Sequence, residues 1–462
     1  MIDNIRTPKS LLVIGNGFDL SCGLPSNYVT FLRWVLSYKT DINQSEAIDK
    51  IKQGIEKYLN SWNFRHDPQR DLTIKVGNEN RFIQDVNIWY LIFVYKNMIF
   101  DNDWHLVENQ IANELLKDTK GLNIIEKIGD TLLSIYREDR GDGGRTPKYC
   151  INKASVFDDK EVIIKFYELL AYCLYYKNLD ILSYENKVVF QELRAQVKQL
   201  GGEYSELSSQ GKIYEEPYSS TFENKITSIL FPLVSQSLLC ELTELELDFK
   251  KYLKQCIDTK NSNYPEVAGS YLKGILTPVN VDRGYSEMVD FNILSFNYTT
   301  PWELSDNEIF NKIFDSVNIH GQISNDDGIV FGIDDEKIAP TQMEFMFSKV
   351  ARTLDLITLS NHRKSLDELL STNIENVVFY GHSLSIADYG YFRMIFDKYV
   401  DNSEVKFYFT FKVYEGTTEY KERKKLVKNI SEIFGKYSID KEKNTDIFKN
   451  LIQNQRIKII PL

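Results

Sequence analysis

Cysteine is scarce and unpaired in this chain of 462 residues: Cys22, Cys150, Cys173, Cys240 and Cys256 lie far apart, with no C-x-x-C spacing among them. Zinc ribbons and disulfide frameworks both need closely set pairs, so neither is expected, and buried thiols are the plain reading. Long hydrophobic runs are missing as well. The longest apolar stretch, Ile88 to Tyr95, falls well short of the roughly 18 residues that cross a bilayer. Met1 to Ser10 is mixed polar and leads directly into a strand, which leaves no room for a signal peptide. A cytoplasmic protein without membrane contact is expected. Positive charge is in deficit, with a net charge of −11 and a pI near 5.2, so nucleic acid is not an expected partner. Internal repeats and low-complexity tracts are absent.

What the chain does have is ample material for a core, 43% hydrophobic residues, enough for about two to four domain-sized units. Its most telling stretch is Leu11-Leu-Val-Ile-Gly15-Asn16-Gly17-Phe-Asp19, followed by Gly23-Leu-Pro25-Ser-Asn-Tyr28. The unbroken aliphatic run predicts a parallel strand covered on both faces. Gly15 and Gly17 then allow a sharp turn into a helix, a device that can present amide hydrogens to a phosphate. The dinucleotide fingerprint is incomplete, because a third glycine would fall at Leu20 and no well-placed acidic residue follows a clear second strand. Two readings stand side by side: a nucleotide turn, or a strand-to-loop turn in which glycine serves sterics alone.

Tyr28, Phe31, Leu32, Val35 and Leu36 recur at helical spacing and complete a β-turn-α unit. From about Thr40 to Asp290 helical patterns dominate, at Ile83 to Phe100, Glu108 to Leu116, Val162 to Tyr176, Lys187 to Leu200 and Ser235 to Ile257. Arg137 to Pro147 and Gly201 to Pro217 read as exposed loops. Strand signals return at Asn292 to Phe296, Ser316 to Ile319, Ile329 to Gly332, Asn376 to Tyr380, Val405 to Phe411 and Arg456 to Ile460. The expected architecture is α/β: a Rossmann-like core of residues 1–40 and 285–462 with a mostly parallel sheet, interrupted by a large helical insertion over 41–284.

Several returning strands end in polar residues: Ser295-Phe-Asn297-Tyr-Thr299, Ile319-His320-Gly321, Val330-Phe-Gly332-Ile-Asp334, and Tyr380-Gly381-His382-Ser383 with Asp388 beyond. Carboxyl ends of strands converge on the ligand crevice of an open α/β sheet, so these positions are expected to line one pocket. The order G-N-G-F-D…G-L-P-S-x-Y, then W-x-x-x-E at Trp104 to Glu108, then F-N-Y-T, I-H-G and Y-G-H-S-L-x-x-x-D closely resembles the bacterial AbiH family of phage abortive-infection proteins. More distantly, it is similar to sirtuin-like NAD-binding domains.

The sirtuin resemblance implies a loop over the NAD phosphates at Gly15 and Gly17, an asparagine near the nicotinamide ribose at Asn297, and a catalytic histidine at His320. It also implies a nucleotide-contacting turn at Gly381 and Ser383, and Asn16, Asp19, His382 and Asp388 join these as expected contacts. Plainer alternatives remain open. Asp19 and Asp388 are also placed to cap helices, His382 to pack beneath the pocket, and His320 to sit as a hydrogen-bonded core histidine. Trp104 and Glu108, one helical turn apart, form either a structural pair, the favoured reading, or a substrate-side carboxylate with its packing anchor. Two departures matter: Thr299 stands where sirtuins usually carry an aspartate, and the paired-cysteine zinc module is missing. The second argues against a protein-lysine deacylase.

The implied activity is an NAD glycohydrolase in antiphage defence, with NAD as substrate or ligand and no metal. Breaking the nicotinamide-ribose bond develops positive charge on the sugar and releases a good leaving group, so the site needs positioning and a base more than a strong acid. His320 would be that base and Asn297 would orient the water. A nucleotide-binding sensor that signals to a partner without turnover is the alternative. A nuclease using Asp334, Asp335 and Glu336 on magnesium has less support. Either a homo-oligomer or a partner protein of the defence system is expected, with the helical middle or self-assembly as the seat of control.

Overall fold

The computed structural model describes residues 6–60, 73–76, 79–82, 86–96, 104–116, 122–138, 165–174, 220–258, 263–324, 328–333, 338–359, 366–385, 388–413, 416–441 and 447–462. The helix expected at Lys187 to Leu200, the loop at Gly201 to Pro217 and most of that at Arg137 to Pro147 lie outside them. So do Cys150, the run Asp334 to Glu336 and the side chain of Trp104.

In chain order the strands are β1 (Ser10–Ile14), β2 (Thr73–Val76), β3 (Glu79–Phe82), β4 (Phe291–Ser295), β5 (Ile313–Asn318), β6 (Asn376–Tyr380), β7 (Lys406–Phe411) and β8 (Ile457–Pro461). β2 and β3 form a separate antiparallel pair within the stretch expected to be mainly helical. The other six make one sheet in the order β5-β4-β1-β6-β7-β8, every neighbouring pair parallel. Counting those six alone, the order is 3-2-1-4-5-6, the doubly wound Rossmann arrangement.

β1 is the centre of this sheet and all five of its residues are buried. Leu12 and Ile14 join the apolar cluster on one face, while Leu11 and Val13 join the cluster on the other. That is why the strand reads as a continuous aliphatic run: period-two alternation disappears when both faces are covered. Each such side chain contributes roughly 1.5–3 kcal/mol of gross transfer free energy. One expected strand is not in the sheet. Ile329 to Ile333 is buried, but β5 is the sheet edge, and this segment makes only isolated bridges, Gly321 with Ile329 and Ile333 with Ser348. Its amides go instead to His320 O, Phe347 O and the Glu246 carboxylate, so burial alone produced the strand-like pattern.

Helices α1 (Asn16–Ser21), α2 (Tyr28–Thr40), α3 (Ala47–Asn60), α4 (Ile88–Tyr95), α5 (Trp104–Leu115), α6 (Ile124–Glu138), α7 (Ser220–Ile257) and α8 (Tyr264–Arg283) gather on the Leu12/Ile14 face. α9 (Lys349–Leu359) packs against the Met343–Phe347 turn and is followed by α10 (Leu366–Leu369), α11 (Tyr389–Tyr399), α12 (Glu419–Asp440) and α13 (Ile447–Gln453); these last four cover the opposite face. α4 is apolar all round, with Ile88 to Val94 fully buried, as such a helix must be. α7 holds it in place: Glu241 accepts the Ile88 N–H at 2.9 Å, Leu238 O accepts from Trp89 Nε1 at 3.0 Å, and Asp248 accepts from the Tyr90 hydroxyl at 3.0 Å. The helices between α2 and β4 thus share one continuous apolar cluster with the sheet.

Candidate active site

Parallel register carries one row of residues across five strands: Asn318, Ser295, Ile14, Tyr380 and Thr410 stand side by side at the carboxyl edge. The residues just past that row belong to one cavity. At its centre β1 and β6 send their connections to opposite faces, the topological switch point where open α/β sheets hold ligands. The cavity has a volume of about 470 Å³, within the range of small-molecule sites. Asn16, Gly17, Asp19, Asn297, His320, Gly381, His382, Ser383 and Asp388 all line it, and Gly15 alone of the expected set does not.

The glycines have a steric role first. Gly15 donates its N–H to Tyr380 O at 3.1 Å, and Gly17 donates to Gly381 O at 2.8 Å. A Cβ on Gly15 would stand 2.8 Å from His382 Cα, and one on Gly17 would stand 2.7 Å from Gly381 Cα. Gly381 itself has φ +69°, a conformation that favours glycine, and its Cβ would collide with Phe18 N. Two turns are therefore pressed backbone to backbone. The Gly15 and Gly17 amides are committed to the Tyr380 and Gly381 carbonyls instead of to a phosphate.

Asp19 is the knot behind this contact. Its carboxylate accepts from Tyr264 Oη at 2.8 Å, Asn297 Nδ2 at 3.1 Å and Thr299 Oγ1 at 2.8 Å, tying α1 to α8 and to the loop after β4. Burial pushes its pKa up to about 6, opposed by those three donors. It caps no helix; its hydrogen bonds order the loop after β4. Thr299, the departure from the sirtuin pattern, now has a physical reason: an aspartate there would set two buried carboxylates together. With its amide nitrogen spent on Asp19, buried Asn297 keeps an Oδ1 that has no hydrogen-bond partner among the described residues.

Asp388 is the second centre. Oδ1 lies 3.3 Å from His320 Nε2 and 2.6 Å from Lys349 Nζ, and Oδ2 lies 3.3 Å from His382 Nε2. Lys349 also reaches Glu108 at 2.9 Å. Asp388 stands at the N-cap position of α11 but makes no side-chain cap. Burial works against its charge, yet the Lys349 ammonium and the two imidazoles outweigh it and hold the carboxyl well below the usual range. Burial raises Glu108 to about 7, opposed by Lys349 and reinforced by the charge of Asp388. His320 is lowered, first by burial, with the Asp388 hydrogen bond offsetting part of the effect. Its Nδ1 has no hydrogen-bond partner among the described residues. Phe296 packs between the imidazoles, with ring centroids 5.8 Å from His320 and 4.3 Å from His382.

The chain matches the family described as "Bacteriophage abortive infection AbiH" over residues 11–172 and 222–411, most of its length. It belongs to the AbiH family. Its role is therefore in abortive-infection defence against phage. No curated protein and no solved structure matches the chain. The AbiH match includes the glycine turn, Glu108, Asn297, His320, Lys349 and Asp388, and it stops at Phe411, before α12. Sequence reasoning missed Lys349 and Tyr264 in this AbiH site, since neither sits in a motif. Glu108 was visible through W-x-x-x-E, but its partner is a lysine more than two hundred residues away. Among the described residues no group of three or more His, Cys, Asp or Glu is placed to hold a metal ion, and no helix is long and apolar enough to cross a membrane.

Proposed function

We propose that this AbiH protein is an NAD glycohydrolase that depletes NAD on infection. The observation that carries the reading is His320: its side chain lines the cavity with Asn297, Asp388 accepts its Nε2 hydrogen, and among the described residues its Nδ1 has no partner. Such a ring is a poised general base. The bond from ribose C1′ to the nicotinamide nitrogen breaks with its electron pair leaving on neutral nicotinamide, so no acid is needed. Water adds to C1′ and gives its proton to His320 Nδ1, with Asn297 Oδ1 accepting that water's other hydrogen. ADP-ribose and nicotinamide are the products.

Constant turnover would kill the host, so the reading requires restraint. His320 is only 4% exposed, which supports a closed state opened by a partner protein, by self-assembly or through the helical middle. The same burial is the observation favouring a nucleotide-binding sensor without turnover as the second reading. Purified protein incubated with NAD, alone and with extract of phage-infected cells, separates the two. Nicotinamide release that is lost in His320→Ala supports the hydrolase; NAD binding without release under either condition leaves the sensor.

A further inference from the structure

The cavity is longer than Asn297 and His320 require. It runs past the Gly381 turn to the end of β7 and the start of α12, where Phe411, Lys412, Glu422, Lys425 and Asn429 line it. His320 follows β5 and Lys412 follows β7, strands separated by four steps of the sheet. At about 4.8 Å per step the two ends stand roughly 19 Å apart. A nucleoside alone cannot span that distance; a ligand whose diphosphate extends from the ribose, met by long lysine side chains at the far end, can.

At the centre Lys349 is spent on Asp388 and Glu108, whereas the far end adds two lysines to the cavity lining. The Gly15 and Gly17 amides are already bonded to the facing turn, so phosphate oxygens need other donors. Half-buried Lys412 gives one hydrogen to Tyr271 Oη at 2.6 Å and is held over that ring, leaving two of its three donors. Exposed Lys425 has no carboxylate partner among the described residues. Asn429, which donates to Ser383 O at 2.9 Å, fastens α12 to the turn between the two ends. Among the described residues lining this end, Glu422 is the single carboxylate against these two cations.

We propose that the β7–α12 end is a phosphate subsite, in which Lys412 and Lys425 hold the diphosphate of the substrate whose glycosidic bond lies at His320. The assignment rests on the NAD reading for the other end. Both lysines lie beyond the AbiH match.

The test is equilibrium titration of the purified full chain with NAD, ADP-ribose and nicotinamide riboside, with nicotinamide release followed in parallel. The Lys412→Met/Lys425→Met variant is expected to lose about ten- to a hundredfold in affinity for ADP-ribose. The Lys412→Arg/Lys425→Arg variant retains most of that affinity. The preference for NAD over nicotinamide riboside falls in the methionine variant alone. Unchanged ADP-ribose affinity in that variant overturns the subsite even where NAD is still cleaved. Lysine-dependent ADP-ribose binding without nicotinamide release upholds the subsite and overturns the hydrolase.

Discussion

Asp388 Oδ1 and His320 Nε2 stand 3.3 Å apart, and this one contact fixes which imidazole nitrogen is basic. With the hydrogen on Nε2, the neutral ring carries its lone pair on Nδ1. His382 meets the other oxygen of the same carboxylate, but its Nδ1 accepts the Leu384 N–H at 2.8 Å. Two histidines flank one carboxylate, and among the described residues only His320 of the two keeps a nitrogen without a hydrogen-bond partner.

His320→Ala is expected to lower nicotinamide release by about 10²- to 10⁴-fold while NAD affinity changes little. Because the His320 pKa lies below its ordinary 6.5, the base is already neutral at pH 7. Raising the pH further gains no activity through this group, and the acid limb of log kcat/KM against pH falls below pH 6.5. An acid limb at or above that point contradicts the assignment.

Asp19 binds its proton more tightly when folded, with a pKa of about 6 against 3.8 for the free side chain. Between those values the folded state holds a proton that the unfolded state has lost, so this group's contribution is complete below pH 3.8 and lost as pH rises to 6. The difference amounts to about 3 kcal/mol. Carbon-detected NMR of the carboxyl should show a midpoint near 6. Thr299→Val, which removes a donor to the charged form, should move it higher.

Lys349→Met removes the cation between Glu108 and Asp388 and leaves two enclosed carboxylates facing each other. A loss of about 3–5 kcal/mol is expected by urea denaturation. Glu108→Gln keeps the lysine paired with Asp388 and costs less. Equal losses in the two variants would show that Lys349 is not the shared counter-ion.

Gly17→Ala forces a Cβ onto the Gly381 backbone and is expected to cost about 1–3 kcal/mol, with loss of NAD binding as the two turns separate. Gly435→Ala in α12 is the control. A Cβ there meets nothing within 4 Å, and in a helix interior the change stabilises by about 0.4–1 kcal/mol. Thermal melts of the two variants should move in opposite directions.

The sheet was legible where strands are buried on both faces: the expected Asn376 to Tyr380 is β6 residue for residue, and β1, β4, β7 and β8 differ by single residues at their ends. Glycine turns and polar strand ends located the cavity for the same reason, since parallel register brings every strand end to one line. The pairing of charges was not legible. Lys349 and Tyr264 are ordinary residues in sequence and gain their roles only when α8 and α9 are packed. The glycine turn allowed two readings, for its amides or for sterics alone, and sequence could not decide between them because the facing turn at Gly381 lies far along the chain.

That distance also sets when the cavity comes into being. Ser21 and Tyr380, hydrogen-bonded across the switch point, are 359 residues apart. At ribosomal speeds of 5–20 residues per second, β1 waits roughly 20–70 s for β6 to be made. Throughout that interval Asp388 does not yet exist to orient His320. A prematurely terminated chain can therefore carry the glycine turn, Asn297 and His320 without the carboxylate that orients the ring, so under the proposed hydrolase reading faulty synthesis yields an inert fragment.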